Sequence, residues 1–204
     1  IRLPNHRRAL VVGGGIAGLK AASDLADTGV DVLLAERGPD LGGRVADLSA
    51  LFPGEEDASG LVRRLVEAVR QNPKVEVLTA SAISAVTGFR GNYNVAIGRV
   101  ATASNRAPGT GEEERHFTVG AIIVATGYDY YQPRDGEYGT GQHPQVITMP
   151  QFITLLKEST GETLAWQGRP IRRLGFMHCV GSRQIEGVHA PQADGKVNDY
   201  CSRV

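Results

Sequence analysis

The sequence predicts an α/β fold, in which a buried parallel sheet carries a smaller antiparallel meander. Three observations predict it. A short apolar run at 9–12 ends in three consecutive glycines, Gly13, Gly14 and Gly15. A stretch with apolar residues at helical spacing follows at once, and a second unbroken apolar run occupies 30–35. Strands covered on both faces read as continuous apolar runs, and strand–helix–strand order brings two such strands side by side in parallel.

The remaining elements follow in order. In 16–28, Leu19, Ala22, Leu25 and Ala26 fall on one helical face, and Gly29 is placed to close the helix. Residues 41–54 are irregular. Leu61, Leu65, Val66 and Val69 predict a helix over 58–71, stopped by Asn72-Pro73. A third buried strand is expected at 75–78. Partly alternating runs at 83–89, 93–100 and 116–119 read as an antiparallel meander. The polar segment 101–115 reads as an exposed loop, and 121–125 as a return to the parallel sheet. A long Tyr-, Pro- and Gly-containing connection spans 128–150. A short helix is expected at 151–158 and a further strand at 171–178. Residues 1–165 are read as one domain and 166–204 as the start of a second.

Composition excludes several classes. The chain has 204 residues with 22 basic and 22 acidic side chains, a formal net charge of zero. That removes the electrostatic footprint of a nucleic-acid binder. No apolar stretch approaches the ~20 residues of a membrane helix, and no charged start leads into a long apolar segment. With only two cysteines, Cys179 and Cys201, a disulfide scaffold is not expected, and the cytoplasm is the expected compartment. Glycine is the outlier: 26 residues, nearly twice the usual ~7%.

The glycines carry the chemistry. Gly13-x-Gly15-x-x-Gly18 lies between a strand and a helix. Gly13 permits the tight turn, Gly15 lets a pyrophosphate approach the backbone, and Gly18 lets the helix pack close to the strand. The helix N-terminus at Ile16, Ala17 and Gly18 supplies free N–H groups and a partial positive charge. Glu36 ends the second strand, where an acid accepts ribose hydroxyls and repels a 2′-phosphate. Arg37 and then Gly42-Gly43-Arg44 follow it; a second glycine pair suits FAD, whose long arm needs room beyond the first turn. Ala125-Thr126-Gly127 ends the last parallel strand, where a glycine can lie against the cofactor. Together these predict an FAD-binding Rossmann-like domain of the two-dinucleotide-binding flavoprotein type, with its meander and a partial second domain.

Several of these segments resemble the A subunit of heterodisulfide reductase. They are the run from Leu10 to Leu19, Leu41-Gly-Gly-Arg44, Leu51-Phe-Pro53, the strand from Ala121 to Tyr128, Glu137-Tyr-Gly139, Cys179-Val-Gly-Ser-Arg183 and Tyr200-Cys-Ser-Arg-Val204. The resemblance implies an FAD-dependent redox subunit of an electron-transfer complex, with partner subunits and an oligomeric assembly. It also implies that backbone groups near Ile83 read the adenine ring, and that Cys179 and Cys201 ligate or adjoin an iron–sulfur cluster. A cubane cluster takes four thiolates, so a cluster requires further cysteines. Read from the residues themselves, the pair is two free, partly buried cysteines first, with a redox disulfide as the lesser alternative. Three departures accompany the resemblance. Asp57-Ala-Ser-Gly60 stands where family members carry Cys-x-x-Cys, the meander holds a polar loop in place of a cysteine-rich module, and the chain stops at Val204. The chain is therefore expected to be one piece of a larger subunit or a cluster-poor branch. The alternative functions are an NAD(P)H-dependent flavin disulfide oxidoreductase and a non-catalytic electron conduit.

Overall fold

A computed structural model describes residues 6–51, 56–100, 114–159, 161, 163–178, 180–185 and 187–190. The chain divides into two compact units, Ile1–Gly127 and Tyr128–Val204, a division that falls earlier than the boundary near 165 expected from sequence.

In the first unit, β1 (Arg8–Val12) leads through the triple glycine into α1 (Ile16–Asp27) and then β2 (Asp31–Ala35). A short 3-10 helix, Gly43–Asp47, and the two-residue strands β3 (Ala50–Leu51) and β4 (Glu56–Asp57) occupy the irregular stretch. Next come α2 (Ala58–Gln71), β5 (Val75–Leu78), the meander β6 (Ser81–Phe89), β7 (Asn92–Arg99) and β8 (Arg115–Val119), and finally β9 (Ala121–Val124). The parallel sheet has the order β5-β2-β1-β9, with Val12 level with Ala35 on one side and Val124 on the other. β6, β7 and β8 pair antiparallel as the sequence predicts.

Burial explains the unbroken apolar runs. Val11, Val32 and Leu34 point into a cluster with Leu19, Ala22 and Ala26 of α1 and Val69 of α2. Their neighbours Leu10, Leu33 and Ala35 point the other way, against Val95 and Ile97 of β7 and Val119 of β8. Successive strand residues face opposite sides, and here both sides are covered. Helices form one layer, the parallel sheet the second and the meander the third. Truncating Leu33, which is fully buried, to alanine removes about 2–5 kcal/mol on this account.

Two caps set the helix starts. α2 begins at Asp57, whose carboxylate accepts from the N–H groups of Ser59 and Gly60 at 3.0 and 2.9 Å. α1 begins at Gly15 with no side-chain cap and no acid in its first turn.

In the second unit, α3 (Met149–Glu158) opens with a Thr148/Gln151 capping box, two residues earlier than expected. A small hairpin follows, β10 (Ala165–Trp166) against β11 (Arg169–Pro170). The strand expected at 171–178 does not form: residues 171–177 belong to no regular element. The segment has the apolar content of a strand but no neighbour to pair with among the described residues. The loop before α3 turns on Glu137, which is completely buried. Its carboxylate accepts from Tyr131 Oη at 2.9 Å and the Arg134 N–H at 3.0 Å, and His189 Nε2 lies 3.5 Å from Oε1. Tyr131 also packs over Gly181, where a Cβ would lie 2.5 Å from its ring. Tyr131 thus serves the loop, and Tyr128 is largely exposed. Most of the loop expected at 101–115, together with Cys179 and Cys201, lies outside the described residues.

Candidate functional site

β1 and β9 are adjacent although far apart in sequence, and β2 and β5 lie on the other side of β1. The strand order therefore reverses between β1 and β9, and open α/β sheets bind ligands at the carboxyl ends of the strands at such a point. Gly13, Gly14 and Gly15 leave β1 there, and Ala125, Thr126 and Gly127 leave β9 beside them.

The turn is built from contacts that only glycine permits. Gly13 sits at φ +108°, and a Cβ on it would lie 2.3 Å from the Ala125 carbonyl oxygen. A Cβ on Gly18 would lie 1.8 Å from the Gly13 carbonyl oxygen, so α1 presses directly on the turn. Gly15 is different. A Cβ there would meet nothing nearer than Gly43 Cα at 3.9 Å, and its φ of −76° is ordinary. Its glycine is unnecessary to the fold and leaves an open concavity over the start of α1. The first intrahelical bond runs from Leu19 N–H to the Gly15 carbonyl at 2.8 Å. The N–H groups of Ile16, Ala17 and Gly18 are thus outside the helix ladder. Donors, dipole and open backbone together make an anion cradle.

The second glycine turn is locked onto the first. Gly42 N–H donates to the Gly14 carbonyl at 2.8 Å, and Gly15 and Gly42 form a parallel bridge. Gly43, at φ +58°, would carry a Cβ 2.9 Å from Gly15 Cα. The spacing Gly42-Gly43 is therefore a backbone-to-backbone contact as well as room for a ligand. Arg44 lies within the 3-10 helix after this turn, and Arg37 is exposed beside Glu36.

Glu36 closes the site. Its Oε2 accepts from Gly14 N–H and its Oε1 from Gly38 N–H, both at 2.6 Å. Each carboxylate oxygen has two acceptor positions, so both keep capacity for a hydroxyl donor. The junction after β5 is tied to the same corner: Ser81 N–H donates to the Glu36 carbonyl at 2.9 Å and Ala80 N–H to the Gly38 carbonyl at 2.8 Å. Ala80 takes φ 47° to do so. Ile83 lies slightly further along β6, paired with Ile97 just before a bulge, and its side chain packs against the meander-side core.

The structure therefore gathers Gly13, Gly15, Ile16, Ala17, Gly18, Glu36, Gly42, Gly43, Ala125, Thr126 and Gly127 at one end of the sheet. Sequence reasoning missed Gly14, Gly38 and Ala80, the residues that hold the carboxylate and its corner. The signal for Gly14 was present as the middle of three consecutive glycines, but the motif leaves that position free. Among the described residues no helix is long and apolar enough to cross a membrane.

Residues 11–75 match the model of the NAD(P)-binding Rossmann-like domain. The chain is similar to the A subunit of the H(2):CoB-CoM heterodisulfide,ferredoxin reductase from Methanothermobacter marburgensis, 28% identical over 267 aligned positions, which take in 97% of this chain and 39% of that one. It is 29% identical to the iron-sulfur A subunit of the CoB–CoM heterodisulfide reductase from Methanocaldococcus jannaschii, with the same two coverages. A thioredoxin reductase structure from T. acidophilum superposes with a TM-score of 0.48 at 17% identity, over 65% of this chain and 40% of that one. The resemblance and the α/β dinucleotide-binding fold read from the sequence are borne out. The chain spans about two fifths of the length of the curated relatives it matches. The alignments are also longer than the chain, so these relatives carry residues with no counterpart here.

Proposed function

We propose that this chain is the FAD-binding part of a redox subunit resembling the A subunits of heterodisulfide reductases, working with partner subunits in electron transfer. The observation that carries the reading is the open backbone at Gly15 between two interlocked glycine turns, at the head of a helix with no acid in its first turn. In this reading, Ile16, Ala17 and Gly18 N–H groups hold the pyrophosphate, and Glu36 holds the adenosine ribose. Backbone groups along the 78–83 junction receive the adenine. Arg37 and Arg44 border the phosphates, and Thr126 and Gly127 border the flavin end. FAD held there supplies a two-electron carrier able to pass electrons on singly; the chain binds and orients it. Cys179 and Cys201 are proposed to adjoin or ligate a cluster when further cysteines are supplied.

The test is a titration of the purified chain with FAD, NAD and NADP, followed by flavin absorbance and by competition. FAD should bind tightest, and NADP more weakly than NAD, because its 2′-phosphate would meet the Glu36 carboxylate. NADP binding tighter than NAD would overturn the assignment of Glu36. A second reading, in which a pyridine nucleotide occupies this turn, is favoured by the match of residues 11–75 to the NAD(P)-binding Rossmann-like domain. It predicts instead that NAD displaces FAD stoichiometrically.

A further inference from the structure

The second unit buries no apolar side chain among its described residues; its single buried residue is Glu137. Leu174, Phe176 and Met177 are more than half exposed, and Met149 and Leu156 of α3 nearly so. All of these but Leu156 border a groove of about 960 Å³ whose walls include Phe152, Trp166 and Phe176. Phe176 touches Phe152 edge to face at 5.8 Å. A contiguous apolar face of this kind on a polar surface marks an interaction site.

Two further features say what covers it. From Arg172 to Met177 the backbone makes no hydrogen bond among the described residues, whereas Ile171 N–H just before it pairs with the Leu164 carbonyl at 2.8 Å. Unpaired backbone beside an apolar groove is the template for an added strand. The groove is also basic. Arg169, Arg172 and Arg173 line it, no acid occurs from 164 to 178, and none of the three forms an ion pair among the described residues. The one carboxylate in the lining, Glu137, is buried and engaged by Tyr131 and Arg134.

We propose that this groove docks an extended segment of another polypeptide, which adds as a strand alongside 172–177 and sets acidic side chains against Arg172 and Arg173 and apolar ones against Phe152 and Phe176. Successive residues of a strand face opposite sides, so Arg172 and Arg173 of a paired segment face opposite sides, and a partner with consecutive acidic residues followed by apolar ones fits both. The proposal is independent of the nucleotide site.

Trp166 is the chain's single tryptophan. It sits in the groove with its indole N–H on the Pro144 carbonyl at 2.7 Å, and its fluorescence reports occupancy. The probe is a blocked seven-residue peptide of two glutamates followed by alternating valine and threonine; its control replaces glutamate with lysine. The glutamate peptide should give a saturable change and slow amide hydrogen exchange across 172–177, and the lysine peptide neither. The double variant Arg172→Glu/Arg173→Glu should weaken the glutamate peptide about tenfold or more and bind the lysine peptide instead, which shows that the variant still folds. Equal binding of both peptides, no saturable binding, or binding without amide protection overturns the proposal. So does a dimer of the unliganded chain that the double variant dissociates, because the occupant is then a second copy.

Discussion

Gly15→Ala separates the binding role of the glycine turn from its structural role. The added Cβ meets nothing within 3.9 Å, and the φ of −76° suits alanine. Alanine is a poorer N-cap than glycine by several tenths of a kcal/mol, while loss of unfolded-state freedom returns about 0.4–1 kcal/mol. The two nearly cancel. For a chain of this size 1 kcal/mol corresponds to about 2–4 °C, so the melting temperature should move by no more than that. Binding should not survive as well. A Cβ in the concavity holds the pyrophosphate off the first-turn N–H groups, and each lost hydrogen bond to a charged group is worth about 1.5–3 kcal/mol. Loss of one predicts FAD affinity lower by about 10- to 150-fold. Fluorescence titration of FAD and differential scanning calorimetry on the same preparations measure both quantities. Gly18→Ala is the control. Its Cβ would sit 1.8 Å from a backbone oxygen, so it must push α1 off β1 and lower stability itself, by about 1–3 kcal/mol for overpacking. Wild-type FAD affinity in Gly15→Ala would refute the placement of the phosphates. A Gly15→Ala protein that melts as early as Gly18→Ala would refute the open cradle.

Asp57→Ala should cost about 1 kcal/mol, because it strips the acceptor from the Ser59 and Gly60 N–H groups; Asp57→Asn should recover most of it in a denaturant melt. Glu76 is bridged by Arg115 at 2.6 Å and Arg8 at 2.5 Å. Burial works to raise its pKa, but the two arginines outweigh that and leave the carboxyl below its ordinary value. A depressed carboxyl stabilises the fold above the ordinary glutamate range and loses that contribution as pH falls through the folded-state value. The melting-temperature advantage of wild type over Glu76→Gln should therefore be constant near neutrality and shrink on acidification. It should also stay within the ~0.2–1 kcal/mol of partly exposed pairs and weaken with salt. Ile83→Val should cost about 0.5–1.5 kcal/mol of stability and leave FAD occupancy unchanged, since only backbone groups near it are proposed to face the adenine. Loss of occupancy in this variant would show that the side chain reads the ring.

Sequence alone determined the main strands and helices of the first unit to within a residue or two. Its apolar runs are unbroken at 9–12 and 30–35 because helices cover one face of the sheet and the meander the other. Its helix periods are clean because α1 and α2 each bury one stripe. Gly13, Gly18, Gly42 and Gly43 were legible because close contacts or positive φ exclude other side chains there, a constraint local enough to leave a spacing pattern; Gly15, which the fold does not require, was legible only through that pattern. Tertiary structure alone decided what crosses between segments. That Gly42 donates to Gly14, that Glu36 is held by Gly14 and Gly38, and that Ala80 turns left-handed to reach Gly38 all depend on loops meeting at one sheet end. No periodicity records such a meeting. The segment 171–177 shows the converse. It has the composition of a strand, but a strand requires a neighbour to satisfy its backbone, and composition does not say whether one is present.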